Sequence, residues 1–344
     1  MNAAAKNYDG VNKYIRITDI DEASSTYIDK DIVSPDDVLT DNYLVNNRDI
    51  LLARTGASTG KSYLYKKSDG KLYYAGFLIR ANVTTHDPYF VFSQLHTHRY
   101  WRWVYIMSAR SGQPGINSQE YSSFPIYTTS IEEESKIAKL LSLLDERIAT
   151  QNKIIDKWQS LIKGISNRIF ASIQGIEYRM GDIVTITNGN SNVQDAVTQS
   201  KEGLYPFFDR SEDIKYWPTF LFDKEAIIYP GEGTEFMPRY FKGKFALHQR
   251  CYAIFDFNEI INARFLYFYL KTRNSYFVKN AVGSTVPSLR LDTFQKLKVI
   301  IPSKKIQHSV SLCLSSMEQK CNVEKKILHK LLKQKQYLLR QMFI

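Results

Sequence analysis

The sequence predicts a mixed α/β (α+β) chain in which two globular domains are separated by two long antiparallel coiled-coil helices, arranged as a pseudo-two-fold repeat. Three observations support this prediction. Two segments of about forty residues repeat apolar side chains in steps of four and three, the pattern of a coiled-coil helix. Each follows a stretch of roughly 130 residues rich in short β-type runs. Equivalent positions in the two halves lie 173 residues apart, which indicates an internal repeat.

The first globular domain is assigned to residues 1–130. Its β-type runs, such as those beginning at Lys13 and Asp49, are broken by Gly, Pro and Asn and show few helical periods. Ser130, followed three residues later by Glu133, has the spacing of a capping box, which starts a helix. The first long helix is therefore predicted over residues 131–172.

A second globular domain over residues 173–302 and a second long helix over residues 303–344 repeat this plan. Every seam position of the second helix is a seam position of the first plus 173, and a heptad seam needs a partner helix, so we expect the two helices to pair. The seam residues include Ile137, Leu141, Leu144, Ile148, Ile155, Trp158, Val310, Leu314, Met317, Leu328, Leu331 and Leu338. Gln151 and Glu324 lie near the middle of the seams. Either they fix the register of the two helices, or the helices simply tolerate a solvated position there.

The repeat extends upstream of each helix. Ile116-Asn117 corresponds to Leu289-Arg290 at the same offset of 173. Further upstream, the strand-like run beginning at Asp49 resembles the run beginning at Glu225 at a slightly different offset. Loops of different length are therefore expected in the two domains.

Composition excludes several classes of protein. The three cysteines form no C-x-x-C pair, which argues against a disulfide framework or a cysteine-rich zinc site. No window approaches the ~20 apolar residues needed to span a bilayer. We therefore expect a cytoplasmic protein without a membrane partner.

The charge suggests a polyanionic partner, but it is unevenly distributed. The 344 residues carry 46 Lys plus Arg and 35 Asp plus Glu, a formal net charge of +11. Residues 1–130 have 14 basic and 13 acidic groups, and residues 173–302 have 16 and 14, whereas the last 42 residues have 9 and 2. The globular domains are nearly neutral, so we expect the isolated chain to bind a polyanion weakly.

Several strings resemble catalytic or cofactor motifs but fall short of them. The Gly56–Ser62 segment has three residues between its glycines where a Walker A loop has four, and Gly231–Gly233 is an isolated G-x-G. His96 and His98 lack carboxylates at ligand spacing. Glu134 lies in the first turn of a predicted helix, where an acidic residue complements the helix dipole. We therefore predict that the chain is not an enzyme by itself and has no catalytic residue, metal site or cofactor.

Basic residues interleaved with Tyr, Trp, Asn and Gln occur in both domains. Singly, most are better explained as solvated surface charges, but as a set that occurs twice they support a nucleic-acid interface, because such side chains neutralise phosphates and read base edges. The candidate DNA-binding residues are Arg54, Lys61, Arg99, Arg102, Arg110, Gln113, Asn117, Arg210, Arg239, Lys242, Lys244, Gln249, Arg250 and Arg290.

The order of domains and helices resembles the specificity subunit of type I restriction-modification systems. The resemblance is carried by GINSQEYSSFPIYTTSIEEESKIAKLLSLLDERI from Gly115, by YRMGDIVTITNGNS from Tyr178, and by VPSLRLDTFQKLKVIIPS from Val286. It implies two target recognition domains that each read one half of a bipartite, asymmetric double-stranded DNA target, with the helices setting the spacing. It also implies two methyltransferase (modification) subunits and restriction (translocase and nuclease) subunits as partners, which would hold S-adenosylmethionine, ATP and Mg²⁺.

One departure from the family pattern concerns the first domain. The segment beginning at Tyr178 opens the second domain, and the first domain has no counterpart of it, so the first domain is expected to be shortened at its N-terminus. The alternative interpretation is a stand-alone coiled-coil DNA-binding or adaptor protein without a methyltransferase partner. Co-purification with a large partner subunit discriminates between the two.

Overall fold

The computed structural model describes residues 1–109, 112–192 and 196–343. They form two compact units: the first combines Met1–Asn152 with the chain from Lys326 onward, and the second spans Lys153–Lys325. Each unit contains one globular domain and a part of each of two long helices. The predicted fold class, a mixed α/β chain with two long helices, is confirmed.

The first unit combines short strands with short helices and continues into the first long helix. Its strands are β1 (Ala4–Asn7), β2 (Asn12–Ile15), β3 (Val33–Asp36), β4 (Asp49–Ala53), β5 (Ser62–Leu64), β6 (Lys71–Tyr74) and β7 (Leu78–Asn82). Its helices are α1 (Pro88–Gln94), α2 (His98–Ser108), α3 (Ser118–Ser122) and α4 (Ile131–Ser172), which continues into the second unit. The Ser130 hydroxyl accepts the backbone amide of Glu133 at 3.3 Å, so Ser130 caps α4.

Strand β4 is the central strand of a three-stranded sheet in the first unit. It pairs antiparallel with β5 and β7, while β2 pairs in parallel with β6 and β1 pairs antiparallel with β3. All residues of β4 are buried, with Ile50 and Leu52 in one hydrophobic core and Leu51 and Ala53 in another. Because successive side chains of a strand point to opposite faces, this strand separates two cores and is apolar along most of its length.

The second unit contains a larger sheet. Its strands are β8 (Ile176–Arg179), β9 (Thr185–Asn188), β10 (Tyr205–Phe208), β11 (Lys215–Trp217), β12 (Phe222–Pro230), β13 (Arg239–Leu247), β14 (Cys251–Phe255) and β15 (Lys298–Ile301). Its helices are α5 (Ala263–Lys271), α6 (Asn274–Asn280), α7 (Leu291–Gln295) and α8 (Lys304–Met342), which continues into the first unit. The strand order β11-β10-β13-β12-β14-β9 again places a buried strand, β12, between two cores.

The sheets of the two units differ at one edge. In the second unit β9 pairs with β14, and β8 pairs with β15. In the first unit β7 takes the place of β14, and within the described residues it pairs with β4 alone. Residues 125–128, which lie 173 positions before β15, form no strand. The 176–188 segment therefore has no counterpart in the sheets of the first unit.

The long helices pack antiparallel within each unit. In the first unit Ala138 and Leu141 of α4 pack against Leu339 of α8, and Asp145 forms an ion pair with Lys335 at 2.6 Å. In the second unit α4 and α8 share a core through Ile165, Ile169, Phe170, Val310, Leu314 and Met317. All the predicted seam residues are buried or half-buried. Neither these helices nor any other in the described part of the chain is long and apolar enough to cross a membrane.

A buried carboxylate attaches α4 to the first globular domain. Glu134 is fully buried, and it accepts the backbone amides of Asp87 at 2.9 Å and Thr129 at 3.3 Å. Its other contact is with the Nδ1 atom of His86, at 2.9 Å. Glu134 lies in the first turn of α4, as predicted, and its side chain in addition points into the domain and accepts backbone amides there.

Gln307 makes the equivalent attachment in the second unit, 173 residues after Glu134. Its Oε1 atom accepts the backbone amide of Asn262 at 2.7 Å. Its Nε2 atom donates to the carbonyls of Ile260 at 2.8 Å and Pro302 at 2.9 Å. The repeat thus uses a polar side chain at one helix position in both units, charged in the first and neutral in the second.

Candidate nucleic-acid interface

A tight turn after strand β12 organises the candidate interface of the second unit. The backbone amide of Leu289 donates to the Gly231 carbonyl at 2.8 Å, and the amide of Gly233 donates to the Pro287 carbonyl at 3.0 Å. Gly233 has a φ of 140°, which favours glycine. The turn is therefore held by main-chain bonds on both sides of its middle residue, Glu232.

The turn borders a polar cleft of about 380 Å³. A Cβ at Gly231 would lie 2.0 Å from the carbonyl oxygen of Arg250, so the chain just before β14 approaches the turn closely. The cleft is lined by Asn192, Asp209, Arg210, Ser211, Lys215, Glu232, His248, Gln249 and Arg250. Three of the predicted DNA-binding residues, Arg210, Gln249 and Arg250, thus lie together.

Glu232 links the two arginines of the cleft. The Nη1 atom of Arg250 lies 2.9 and 3.1 Å from its two carboxylate oxygens, and Nη1 of Arg210 lies 3.9 Å from it. The Glu232 side chain is only 16% exposed, whereas those of Arg250 and Arg210 are 62% and 68% exposed. The negative charge is therefore recessed, and the positive charges face solvent, where a nucleic acid would meet them.

A second carboxylate in the cleft is fully committed to local contacts. Asp209 accepts Nζ of Lys215 at 2.6 Å and the Ser211 hydroxyl at 2.5 Å. Burial raises the pKa of this carboxyl, but the hydrogen bonds from Lys215 and Ser211 together outweigh that effect and bring the pKa below its usual value. Asp209 is therefore ionised at neutral pH and holds Lys215 in place.

Arg239, a predicted DNA-binding residue, fastens the same loop from within the protein. Its Nη1 atom donates to the Ser211 carbonyl at 2.8 Å, its Nη2 atom donates to the Asp209 carbonyl, and its guanidinium lies 5.0 Å from the centre of the Phe208 ring. Burial lowers the pKa of the guanidinium. Because these donors serve the backbone, Arg239 has a structural role, and its DNA contact stays a prediction.

The remaining candidates of the second unit lie outside the cleft. Lys242 and Lys244 are exposed on β13, opposite Glu225 and Asp223 of β12, and Lys244 Nζ lies 4.7 Å from the centre of a phenylalanine ring. Arg290 is exposed at the N-cap of α7. The structure does not bring these three residues together with Arg210, Gln249 and Arg250.

The first unit contains the same turn at residues 54–56. The backbone amide of Ile116 donates to the Arg54 carbonyl, and that of Gly56 donates to the Pro114 carbonyl, both at 2.9 Å. These bonds match those of the second unit. The turn residues of the two units lie 177 positions apart, and the residues to which they bond, Pro114 and Ile116 in the first unit, lie 173 positions before Pro287 and Leu289. Arg54 and Gln113 are exposed beside this turn.

Lys61 directly precedes β5, and Arg102 lies on α2. Lys61 forms an ion pair of 3.2 Å with Glu22, whose side chain is 85% exposed. Arg102 is exposed on α2, as are Trp101 and Tyr105, the latter 80% exposed.

Arg99 and Asn117 have structural roles that their residue types did not reveal. The guanidinium of Arg99 lies 4.1 Å from the centre of the Tyr127 ring and donates to the Pro125 carbonyl at 2.7 Å. Asn117 caps α3, because its side chain accepts the Glu120 amide at 2.9 Å. Another candidate, Arg110, lies outside the described residues.

Comparison with known proteins decides the family. A family model described as the type I restriction modification DNA specificity domain matches residues 1–158 and residues 176–333. The chain belongs to this family. Specificity subunits of type I systems are non-catalytic, in agreement with the prediction that the chain is not an enzyme by itself.

Relatives agree with the assignment, and a solved structure shows the same fold. The chain is 28% identical over 138 residues to the EcoDI specificity subunit of Escherichia coli, an alignment that covers 40% of this chain and 30% of that protein. It is 28% identical over 127 residues to the MjaVIII specificity subunit of Methanocaldococcus jannaschii, covering 37% and 29%. The chain thus aligns with less than a third of the length of these relatives. The type I S subunit of M. genitalium has the same fold, with a TM-score of 0.67 and 18% identity over 98% of this chain and 89% of that one.

His96, one of the two histidines considered in the sequence, contacts the backbone of its own domain. His96 is enclosed, with Nδ1 2.9 Å from the Phe92 carbonyl, and burial lowers its pKa to about 4. In the described ranges, no three His, Cys, Asp or Glu side chains converge on a common point. His96 therefore has a structural role within its domain, one of the two roles, structural or DNA-facing, that the sequence favours over metal binding.

Sequence reasoning missed the acidic part of the cleft. Glu232 was considered only as the middle of a weak cofactor motif, and Asp209 and Lys215 were not singled out. The signal was present in the repeat, because residues 231–233 and 54–56 follow equivalent buried strands. The offset of 177 differs from the 173 of the helices, so the equivalence becomes plain only from the hydrogen bonds.

Proposed function

We propose that this chain is the DNA sequence-specificity subunit of a cytoplasmic type I restriction-modification complex. The double match to the family model carries the proposal, because residues 1–158 and 176–333 each contain one globular domain followed by the beginning of a long helix. The proposal gives the chain the task of recognising double-stranded DNA and leaves methylation and cleavage to other subunits.

In this proposal each globular domain reads one half of a bipartite, asymmetric target. The support is that both domains build the same turn on equivalent strands but carry different side chains there: Arg54, Thr55 and Gly56 in the first and Gly231, Glu232 and Gly233 in the second. Equivalent surfaces with different donors and acceptors read different base sequences.

The long helices are proposed to dock two methyltransferase subunits, with restriction subunits completing the complex. The support is a set of large apolar side chains that lie outside the seam and are exposed. They are Leu140, Leu143 and Leu161 on α4 and Leu312, Val323, Ile327 and Leu332 on α8. S-adenosylmethionine, ATP and Mg²⁺ belong to those partner subunits in this proposal, and the chain itself holds none of them.

The charge distribution adds an expectation about affinity. Most of the net charge of +11 lies on α8, where the last 42 residues carry 9 basic and 2 acidic groups, and the globular domains are almost neutral. Since non-specific DNA binding follows the number of phosphates neutralised, the chain alone should bind weakly and the assembled complex tightly.

Exchange of one domain tests the proposal. Cells expressing the chain with the methyltransferase subunits of its own system should show adenine methylation at one bipartite motif, read by whole-genome methylation sequencing. Replacing residues 173–302 by the corresponding domain of another specificity subunit should change one half of that motif and leave the other half intact. A motif that changes in both halves, or a methylome that is unaffected by deleting the chain, would contradict the proposal.

The adaptor alternative makes a different prediction in the same cells. A stand-alone coiled-coil protein would purify without a methyltransferase, whereas a specificity subunit should purify with two copies of one. Mass measurement of the complex formed by the full chain distinguishes these outcomes.

A further inference from the structure

We propose that Arg250 reads the guanine of a G·C base pair in the half-site bound by the second domain, and that Glu232 is the positioning residue that holds its guanidinium in the reading orientation. The inference rests on the proposed function, since it concerns which base pair the cleft selects. It goes further by naming the base and the two residues that select it.

The geometry leaves one edge of the Arg250 guanidinium available. Its Nη1 atom is occupied by both carboxylate oxygens of Glu232, at 2.9 and 3.1 Å. Among the described residues, no further hydrogen bond or ion pair involves its Nε or Nη2 atom. Because the guanidinium is planar, its Nε and Nη2 donors are parallel, and with Nη1 bound to Glu232 they point away from that carboxylate.

A pair of parallel N–H donors matches guanine better than any other base. Guanine presents two acceptors, O6 and N7, in the major groove, whereas adenine presents an acceptor next to a donor, and cytosine and thymine present no such pair of acceptors. A side chain that only donates therefore makes two hydrogen bonds to guanine and at most one to adenine. The arrangement selects G·C at one position.

The paired carboxylate favours a base over a phosphate as the partner of Arg250. A phosphate on this guanidinium would bring its charge close to the recessed charge of Glu232, and like charges repel more strongly where solvent is partly excluded. A base edge carries no net charge and meets no such repulsion. Arg210 lies 3.9 Å from the same carboxylate and is 68% exposed, so Glu232 holds it less tightly than Arg250. Arg210 is therefore suited to contact a phosphate.

Glu232 is well placed to act as a fixed support. It is the middle residue of the turn closed by the Leu289-to-Gly231 and Gly233-to-Pro287 hydrogen bonds, and it forms a β-bridge with Ser288. The flanking backbone therefore cannot shift without breaking main-chain bonds. The carboxylate keeps its position when DNA arrives, so little ordering of Arg250 remains to be done on binding.

The test uses the full chain in complex with its methyltransferase subunits and a series of DNA duplexes. Each duplex carries the wild-type motif with one base pair changed, and the methylation rate is measured for all of them. For the wild-type complex, replacing one G·C pair of the second half-site by A·T should lower the rate ~5- to 150-fold, the loss expected for one bidentate contact. In the Arg250→Ala complex that difference should shrink to less than about twofold, while the other positions keep their wild-type ratios.

Glu232→Gln separates positioning from a general structural effect. It should reduce discrimination at the same single position while raising the affinity for unrelated DNA, because a negative charge is removed from a DNA-facing cleft. Glu177→Gln is the matched control, since it neutralises an exposed carboxylate paired with Lys298 at 2.7 Å elsewhere in the unit. This control should leave both quantities unchanged.

Two results would overturn the inference: an Arg250→Ala complex that loses rate equally on every duplex, or a Glu232→Gln complex that cannot be told from Glu177→Gln. A second half-site without any G·C pair would overturn it as well. Failure of the proposed function looks different, because the wild-type complex would then show no bipartite motif at all.

Discussion

The two units build one turn and use it differently. Residues 54–56 and 231–233 each end a buried strand, and each is closed by two main-chain hydrogen bonds to a segment that leads into a short helix. In the second unit the middle residue is Glu232, which gathers two arginines into a cleft. In the first unit it is Thr55, and the nearby Arg54 is exposed.

This difference shows which features the two repeats share and which features differ between them. The main-chain bonds and the helix attachments recur at corresponding positions, so they define the scaffold. The side chains on the turn differ in charge, so they define what each domain can bind. Substitutions at paired positions in the two units test this division, because the same structural place can be probed in two chemical settings.

The largest expected effect comes from exchanging the residues that attach the long helices. Gln307→Glu would place a buried carboxylate against the carbonyls of Ile260 and Pro302, which now accept hydrogen bonds from Nε2. We expect the free energy of unfolding at neutral pH to fall by about 3–5 kcal/mol, the cost of an uncompensated buried charge. Urea denaturation of the full chain measures it.

The paired variant in the first unit should be milder. Glu134→Gln keeps one oxygen that can accept a backbone amide and loses the other acceptor. We therefore expect the free energy of unfolding to fall by about 1–2 kcal/mol. Equal losses in both variants would show that charge is unimportant at this position and would weaken the comparison between the units.

Acid should affect the first unit through His96. Burial lowers the pKa of this side chain to about 4, with the charge of Lys335 acting in the same direction and the Phe92 carbonyl and Asp145 opposing it. The unfolded chain takes up a proton near pH 6.5, whereas the folded chain does so only near pH 4. The stabilisation is therefore complete above pH 6.5 and is lost as the pH falls from 6.5 to 4, by up to about 3 kcal/mol.

Replacing this histidine isolates its share of the acid response. His96→Gln removes the titrating group, so the decline in unfolding free energy between pH 6.5 and 4 should become shallower than in the wild-type chain. Hydrogen exchange at several pH values should place the difference in α1 and α2. An unchanged pH profile would mean that other groups control acid stability.

The smallest of the three effects concerns the first residue of each turn. A Cβ at Gly231 would lie 2.0 Å from the Arg250 carbonyl oxygen, so Gly231→Ala forces main-chain atoms apart and should cost about 2 kcal/mol. Arg54 already has a side chain at the equivalent place, and Arg54→Ala should change stability by less than about 0.5 kcal/mol. Thermal or urea unfolding of both variants measures the contrast, and a tolerated Gly231→Ala would show that the turn at Gly231 is no tighter than the turn at Arg54.

Much of the fold could be predicted because the long helices leave a strong pattern in the sequence. Leu141 and Leu314 repeat the same seam position, and no insertion separates the two copies from residue 116 to the end of the first helix. The sheets could not be predicted in the same way, because strand pairing joins distant segments such as β9 and β14 across loops of variable length.

The candidate interface was harder to predict, because the role of a cation depends on what surrounds it. Arg239 and Arg250 have the same side chain in the same domain, yet Arg239 donates to loop carbonyls and Arg250 faces solvent beside Glu232. Residue type alone cannot separate these cases. The acidic partner is also invisible in a search for basic residues, although it orients the arginine.

The two hydrogen bonds that close the turn in each unit join main-chain N–H and C=O groups, which every residue except proline supplies in full. Positions 55 and 232 can therefore be randomised without altering the hydrogen bonds that close the turn. A library built at these two positions explores new DNA preferences while the cost to folding stays nearly constant from one member to the next. For the same reason, natural sequence variation at the turn can change which DNA sequence is recognised without disturbing the fold.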